Sequence, residues 1–239
     1  MQTALTITNG IGRLTLINPP RNELDKPEFI CPDDLRAFLS DKKLLALVIT
    51  GAGKNFCAGA ASPDTISTLG SSALDAGKKI IELIADAELP TLAVIRGACM
   101  GAGLEIALSC TFRIASSGAM FGFPECARGL MPGFGGTFLT PAKIGAATAV
   151  KLALGADMIG ADEALSIGLV DRVVSTSELA ATAENFLLSI TKDRTPKQIR
   201  FVMRAINAGL RKPRAEALAL ESQLFAELAS DIVTSGRST

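Results

Sequence analysis

Two continuous apolar runs, residues 44–50 (LLALVIT) and 91–96 (TLAVIR), constrain the fold more than any other feature of this chain. Apolar runs of this length suit β-strands that are buried on both faces, as in parallel sheets. Between them, positions 74, 77, 80, 81 and 84 form a stripe at helical spacing. A strand, a helix and a second strand in this order imply a right-handed crossover between parallel neighbours, so the pattern predicts an α/β fold.

The rest of the chain extends this pattern. Asn9 and Gly10 predict a tight turn between two N-terminal strands, and residues 102–109 and 111–116 predict another helix and strand. From about residue 176 onward the spacing is helical, with segments near 176–191, 195–209 and 213–230. We therefore expect one α/β body over residues 1–175, followed by a helical portion over 176–239.

Composition excludes several classes of function. The chain has 239 residues with 24 basic and 24 acidic side chains, which gives no electrostatic reason to expect nucleic acid or an anionic membrane as partner. Its most apolar window, residues 89–110, contains Arg96 and Glu105 and makes a poor membrane span. The N-terminus shows no signal-peptide pattern, and five cysteines without a CxxC pair favour a reducing, cytoplasmic location.

The chain contains no histidine and no tyrosine. This excludes Ser-His and Cys-His nucleophiles and any zinc site that needs an imidazole ligand, and we predict no metal site. Proton transfer then falls mainly to aspartate and glutamate, with lysine and cysteine as weaker candidates.

Two glutamates stand in apolar surroundings, Glu105 in GACMGAGLEIALSC and Glu125 in MFGFPECARGLMPGFGG. A lone buried carboxylate is unfavourable by several kcal/mol unless it is paired, hydrogen-bonded or protonated. The structural explanation is a salt bridge, from Glu105 to Arg113 and from Glu125 to Arg128. The functional explanation is a catalytic pair, and taken singly each glutamate favours the structural one.

Two glycine-containing turns each follow one of the predicted strands, NFCAGA (55–60) and GACMGAGLE (97–105). TGAGKNF (50–56), which overlaps the first turn, does not complete a phosphate-binding pattern, and GAGLEI (101–106) in the second turn does not complete a dinucleotide-binding fingerprint. The second turn leads directly into a helix, whose first N–H groups are unpaired and can stabilise an oxyanion. Close strand–helix packing selects small residues equally well, so both explanations stay open here.

Four longer segments in this order and at this spacing make the chain resemble the crotonase, or enoyl-CoA hydratase/isomerase, superfamily. They are LVITGAGKNFCAGA, LPTLAVIRGACMGAGLEIALSC, FRIASSGAMFGFPECARGLMPGFGGT and GADMIGADEALSIGLVDRVV. The resemblance implies a crotonase-like spiral of ββα repeats with a helical C-terminal portion for trimerisation. It also implies assembly into trimers or hexamers, and an acyl thioester of coenzyme A as substrate.

The resemblance also implies roles for particular residues. Glu105 and Glu125 match the two glutamates of hydratases, while the N–H groups of Ala58 and Ala102 would form the oxyanion hole. Gly133 would help to hold the water. The substrate would be bound by Gly59, Ala60 and Gly101, with no cofactor other than the coenzyme A it carries.

Three activities remain compatible with these residues: a hydratase that uses both glutamates, a double-bond isomerase that uses Glu125 alone, and a non-catalytic subunit. The chain also departs from the family pattern. Ala61 replaces a frequent aspartate, the segment before residue 44 is short enough to predict a missing helix, and a final basic-aromatic helix is not seen. Coenzyme A and carrier-protein thioesters are therefore both candidates.

Overall fold

A computed structural model describes residues 2–61 and 71–235 of the chain. It begins with an antiparallel hairpin of β1 (Gln2–Thr8) and β2 (Ile11–Ile17). Asn9 and Gly10 in the turn both have positive φ, 51° and 77°. This backbone suits the twist of a two-residue hairpin, so the turn predicted from these two residues is confirmed.

The strands form two sheets. The larger sheet has the order β1-β2-β3-β4-β6-β9 and is parallel from β2 onward, and the smaller has the order β5-β7-β8. The parallel β3–β4 and β4–β6 pairs confirm the predicted crossovers. The remaining strands are β3 (Ala46–Gly51), β4 (Thr91–Ile95), β5 (Ala98–Met100), β6 (Phe112–Ser116), β7 (Met120–Gly122), β8 (Ile159–Gly160) and β9 (Arg172–Val174).

The predicted helices 102–109, 176–191, 195–209 and 213–230 are confirmed within a few residues. Within residues 2–61 and 71–235, no helix has the length and apolarity needed to cross a membrane. The helices are α1 (Pro32–Leu39), α2 (Ser71–Ala85), α3 (Ala102–Ser109), α4 (Gly136–Ile144), α5 (Ala146–Gly155), α6 (Ala161–Ser166), α7 (Leu179–Thr191), α8 (Pro196–Arg211) and α9 (Arg214–Ser235).

The prediction that a helix is missing before residue 44 is wrong, because α1 occupies this segment. Pro32 stands in its first turn and Asp33 follows, where a fixed φ and a negative charge both favour a helix start. Leu35 and Leu39 are buried against the core. Eight residues suffice for a helix here because packing of its apolar side chains supplies the stability.

The large sheet carries an apolar layer on each face. Leu47 and Ile49 of β3 belong to the main core, whereas Val48 between them packs with Leu179 and Leu187 of α7 on the opposite face. This confirms the prediction of strands buried on both faces. The division at residue 175 stays a prediction, and α7 beyond it covers one face of the sheet.

Candidate active site

Helix α3 places Glu105 in the interior. All eight residues of α3 are buried, and Glu105 is only 1% exposed. The helix starts after Gly101, which has φ 51° and ψ −125°. A Cβ atom at residue 101 would also lie 2.4 Å from Oε1 of Glu125. Glycine is thus required at 101 both by the backbone and by the approach of the second glutamate.

The carboxylate of Glu105 is held by backbone donors. Its Oε1 accepts hydrogen bonds from the N–H groups of Phe134 and Gly136, each at 2.7 Å. Burial raises the pKa of Glu105 to about 7, against the lowering effect of these bonds and with a further increase from the negative charge of Glu125. The surroundings therefore bring the pKa of this carboxyl group close to neutral pH, where it can both accept and donate a proton.

Arg113 does not pair with Glu105. Its guanidinium donates to the carbonyl oxygens of Leu169 and Cys110 and contacts Asp171 Oδ2 at 3.2 Å. The structural explanation offered for Glu105 is therefore wrong, because the proposed cation is occupied elsewhere.

Glu125 has a different environment. It precedes a single 3₁₀ turn, Cys126–Arg128, and its Oε2 is buried without a hydrogen-bond partner among the described residues. Burial raises the pKa of Glu125, partly opposed by a backbone hydrogen bond and by the positive charge of Arg128. In the described part of the chain, no Glu125–Arg128 ion pair forms within 4 Å.

Both glutamates line one cavity of about 750 Å³. Its wall is mainly apolar, with Lys26 and Lys78 as its positive charges among the described residues. A smaller cavity of about 310 Å³ adjoins it and shares Ala60 and Glu125. Among the predicted site residues, the larger cavity is lined by Ala60, Ala102, Glu105, Glu125 and Gly133, and the smaller by Ala58, Gly59, Ala60, Gly101 and Glu125.

The backbone N–H groups of Ala58 and Ala60 differ in their hydrogen bonding. The Ala58 N–H donates to the carbonyl of Arg21 at 3.0 Å and is therefore already satisfied. Leu24 forms a parallel bridge that uses the carbonyl of Gly59 and the N–H of Ala61. The intervening Ala60 N–H has no acceptor among the described residues, and the same holds for the N–H of Ala102.

Close packing accounts for other small residues of these turns. A Cβ atom at Gly103 would lie 2.2 Å from the carbonyl oxygen of Cys57, and one at Gly59 would lie 3.0 Å from that of Met100. Both explanations left open by the sequence therefore apply, to different residues. Packing requires Gly103, whereas the unpaired N–H groups belong to Ala60 and Ala102.

Sequence reasoning missed the backbone donors of the loop that ends at α4. Phe134 and Gly136 were not singled out, although the PGFGG motif (132–136) was the available signal. The family resemblance further implies that residues 62–80 line the acyl pocket, and of these, residues 62–70 lie outside the described residues. Leu74 and Lys78 of α2 line the larger cavity.

Comparison with known proteins identifies the family. Residues 6–237 match the model of the enoyl-CoA hydratase/isomerase family. The chain belongs to the enoyl-CoA hydratase/isomerase family, and the predicted crotonase fold is confirmed.

Individual relatives agree with this assignment. The chain is 41% identical to a short-chain-enoyl-CoA hydratase of Clostridium acetobutylicum over 79% of this chain and 73% of the relative. It is 37% identical to a crotonyl-CoA hydratase of Syntrophomonas wolfei, covering 87% and 83% of the two chains. The crystal structure of an enoyl-CoA hydratase from Bacillus anthracis superposes with a TM-score of 0.83 at 27% identity, covering 95% of this chain and 90% of that chain.

Proposed function

We propose that this protein is an enoyl-CoA hydratase that adds water across the 2,3-double bond of an enoyl thioester, or removes it in the reverse direction. The observation that carries the proposal is that Glu105 and Glu125 line one cavity together with Ala60 and Ala102, whose N–H groups have no acceptor among the described residues. A backbone donor pair beside two carboxyl groups of raised pKa supplies the parts that this reaction needs.

The first part is activation of the thioester. Its carbonyl oxygen accepts hydrogen bonds from the N–H groups of Ala60 and Ala102, which makes Cβ electrophilic and stabilises the enolate that forms. We assign Ala60 in place of Ala58, because the N–H of Ala58 is bonded to Arg21. Ala102 also stands at the N-terminus of α3, where the helix dipole favours negative charge.

The second part is proton transfer. The ionised carboxylate takes a proton from water as the water oxygen bonds to Cβ, and the protonated carboxyl group donates its proton to Cα. The two carboxyl groups together hold one proton before and after the step. The thioester bond stays intact while the acyl group gains the elements of water. Two N–H donors to Oε1 favour ionised Glu105 as the base. Oε2 of Glu125 is buried with no partner among the described residues, which favours protonated Glu125 as the acid.

An isomerase that uses Glu125 alone is the second candidate. In that reaction Glu105 would have no role, yet two backbone N–H groups are directed at its carboxylate within the cavity. A non-catalytic subunit would have no need for two carboxyl groups of raised pKa that line the same cavity. Both features favour the hydratase.

The substrate we propose is a short 2-enoyl group on coenzyme A. The relatives named above carry the words short-chain-enoyl-CoA and crotonyl-CoA in their names. Lys26 and Lys78 add positive charge to a cavity that is otherwise mainly apolar, which suits an apolar acyl group attached to an anionic carrier. No cofactor beyond the coenzyme A of the substrate is proposed, and a carrier-protein thioester is the alternative.

We propose assembly into homotrimers or hexamers in the cytoplasm. Several apolar side chains of the C-terminal half are largely exposed in the single chain, among them Phe138, Leu154, Leu210 and Phe225 at 71–78%. Large apolar side chains such as these would be covered by contacts between subunits. Light scattering at micromolar concentration should give a multiple of the 24.8 kDa chain, and a stable monomer would contradict the assembly.

A substrate panel tests the activity. Crotonyl, 3-enoyl and cyclic dienoyl thioesters of coenzyme A are each mixed with the protein while the absorbance of the conjugated thioester is followed. We expect crotonyl-CoA to lose this absorbance as it is hydrated. A gain of absorbance from the 3-enoyl thioester without hydration would favour the isomerase, and inertness toward the whole panel would favour the non-catalytic subunit.

A further inference from the structure

Gly77 lies in the interior of α2, where glycine is one of the least favourable residues because it leaves the backbone most freedom to lose on folding. The residue is buried, and its neighbours Ile80, Ile81 and Ile84 pack into the main core. A glycine at such a position needs a packing reason.

The reason is the aromatic ring of Phe134. A Cβ atom at residue 77 would lie 2.8 Å from both Cε1 and Cζ of this ring. Phe134 is only 6% exposed, so the ring fills the space that a methyl group would need. Because a planar ring with two torsions has few ways to adapt, the residue as a whole must shift if that space is taken.

Phe134 is also one of the two residues that hold Glu105. Its N–H donates to Oε1 at 2.7 Å, and the second donor, Gly136, is two residues further along the same loop. At Gly136 a Cβ atom would lie 2.9 Å from the same oxygen, so the loop lies directly against the carboxylate. The contact between helix and ring therefore sets the position of the loop that holds Glu105.

We infer that Gly77 is a positioning residue for the catalytic carboxylate, and that it acts through the ring and backbone N–H of Phe134. The inference rests on the proposed function and names a residue of α2, outside the lining of the cavity, that this function depends on. An added methyl group displaces the ring by about 0.6 Å if it is to regain the 3.4 Å of ordinary contact. Displacements on this scale in a supporting shell are enough to weaken catalysis.

The test is Gly77→Ala, with Gly209→Ala as the matched control. Gly209 lies inside α8 and is exposed, and a Cβ atom there would have no neighbour within 4 Å. We expect Gly77→Ala to lower kcat about 10-fold with KM changed less than about 2-fold, because geometry is lost and substrate contacts are kept. Gly209→Ala should match the wild type in both constants.

A second measurement does not depend on activity. The protein is labelled with glutamate that carries ¹³C in its side-chain carboxyl group, and the signal of Glu105 is identified by its loss in Glu105→Gln. The hydrogen bond from the Phe134 N–H lowers the pKa of Glu105. Weakening this bond in Gly77→Ala should therefore raise the pKa of Glu105 above about 7. Within the described residues, the charged groups that share the cavity are Glu125, Lys26 and Lys78, and none of them is altered.

The double variant Gly77→Ala/Phe134→Leu provides a rescue, since leucine lacks the ring atoms that approach residue 77 and keeps the N–H group. It should regain kcat to within about 3-fold of the wild type. If Gly77→Ala does not fold, Phe134→Leu alone tests the same contact, and it should raise the pKa of Glu105 and lower kcat by a few-fold.

The outcomes are separable. A wild type that is inert toward enoyl thioesters contradicts the proposed function, and the carboxyl titration then still reports on the contact. An active wild type whose Gly77→Ala variant keeps both kcat and the Glu105 titration overturns the positioning role. Loss of kcat that the double variant does not restore overturns it as well.

Discussion

The two glutamates of the site are of the same residue type but lie in two contrasting regions. Glu105 stands on a fully buried helix and accepts two backbone hydrogen bonds on one oxygen. Glu125 stands at an irregular turn, and one of its oxygens is buried without any partner among the described residues. The first carboxylate is fixed by its surroundings, whereas the second is held near it with fewer restraints.

In the proposed mechanism, this difference gives one residue type two chemical roles. Hydrogen bonds to an oxygen favour the ionised form, and burial without donors favours the protonated form. The negative charge of Glu125 also raises the pKa of Glu105, so ionisation of Glu125 makes ionisation of Glu105 less favourable. Such a pair supplies one base and one acid at neutral pH.

Removal of either carboxyl group should have the largest effect. Glutamine is nearly isosteric with glutamate but does not transfer the proton, so we expect Glu105→Gln and Glu125→Gln each to lower kcat for crotonyl-CoA hydration about 10² to 10⁴-fold. The double variant should be far less than multiplicatively worse, because the two groups act as a unit. Stopped-flow or steady-state absorbance measures all three.

Glu163→Gln, at an exposed position on α6, is the control and should keep full activity. Folded Glu105→Gln with near-normal hydration would remove Glu105 from the mechanism. An isomerase would behave differently, with 3-enoyl conversion lost only in Glu125→Gln.

Loss of an oxyanion donor comes next in size. Ala102→Pro removes the N–H at the first residue of α3, a position where helices tolerate proline. We expect kcat to fall about 10² to 10³-fold with the fold retained, as judged by circular dichroism. Ala146→Pro is the matched control, because Ala146 is likewise the first residue of a helix after a glycine with positive φ. Equal activity of the two variants would mean that the Ala102 N–H does not hold the oxyanion.

The pH dependence of stability should be intermediate in size. The folded-state pKa of Glu105 is raised from 4.5 to about 7, so the folded protein binds the extra proton between these values. The free energy of unfolding of the wild type should therefore fall relative to Glu105→Gln as the pH rises from about 4.5 to about 7, by on the order of 3 kcal/mol. Above pH 7 the difference should stay constant.

Urea unfolding at a fixed protein concentration measures this difference, since assembly would make stability concentration-dependent. The opposite result would be that the free energies of unfolding of the wild type and of Glu105→Gln differ by the same amount at every pH. That result would mean that burial does not disfavour the charged form of Glu105.

The smallest effect should come from the charge near Glu125. Arg128 is exposed and lowers the pKa of that carboxyl group, so Arg128→Met should raise it. With Glu125 as the acid, the basic limb of the kcat/KM profile should move to higher pH by less than about one unit, because water screens an exposed charge. A shift confined to the acidic limb would exchange the roles of the two glutamates.

Much of the fold was predictable from local sequence. The turn at Asn9 and Gly10 depends on two adjacent residues that accept positive φ, and α3 follows from a short apolar segment after a glycine. The three-residue strands β5 and β7 were not predicted, because an element of that length has no period to detect. The helix α1 was missed for a similar reason, since its stability comes from packing.

The sequence by itself limited the candidates for proton transfer mainly to carboxyl groups, and it placed Glu105 and Glu125 in motifs of one family. Only the tertiary structure decided which N–H group lacks an acceptor among the described residues, because Ala58 and Ala60 differ in their pairing with residues 21–24, more than thirty positions away. The same holds for Phe134, whose ring contacts α2 and whose N–H reaches Glu105. Periodicity and residue type report local conformation and burial, whereas the direction of a single N–H group depends on distant partners that only the folded chain brings together.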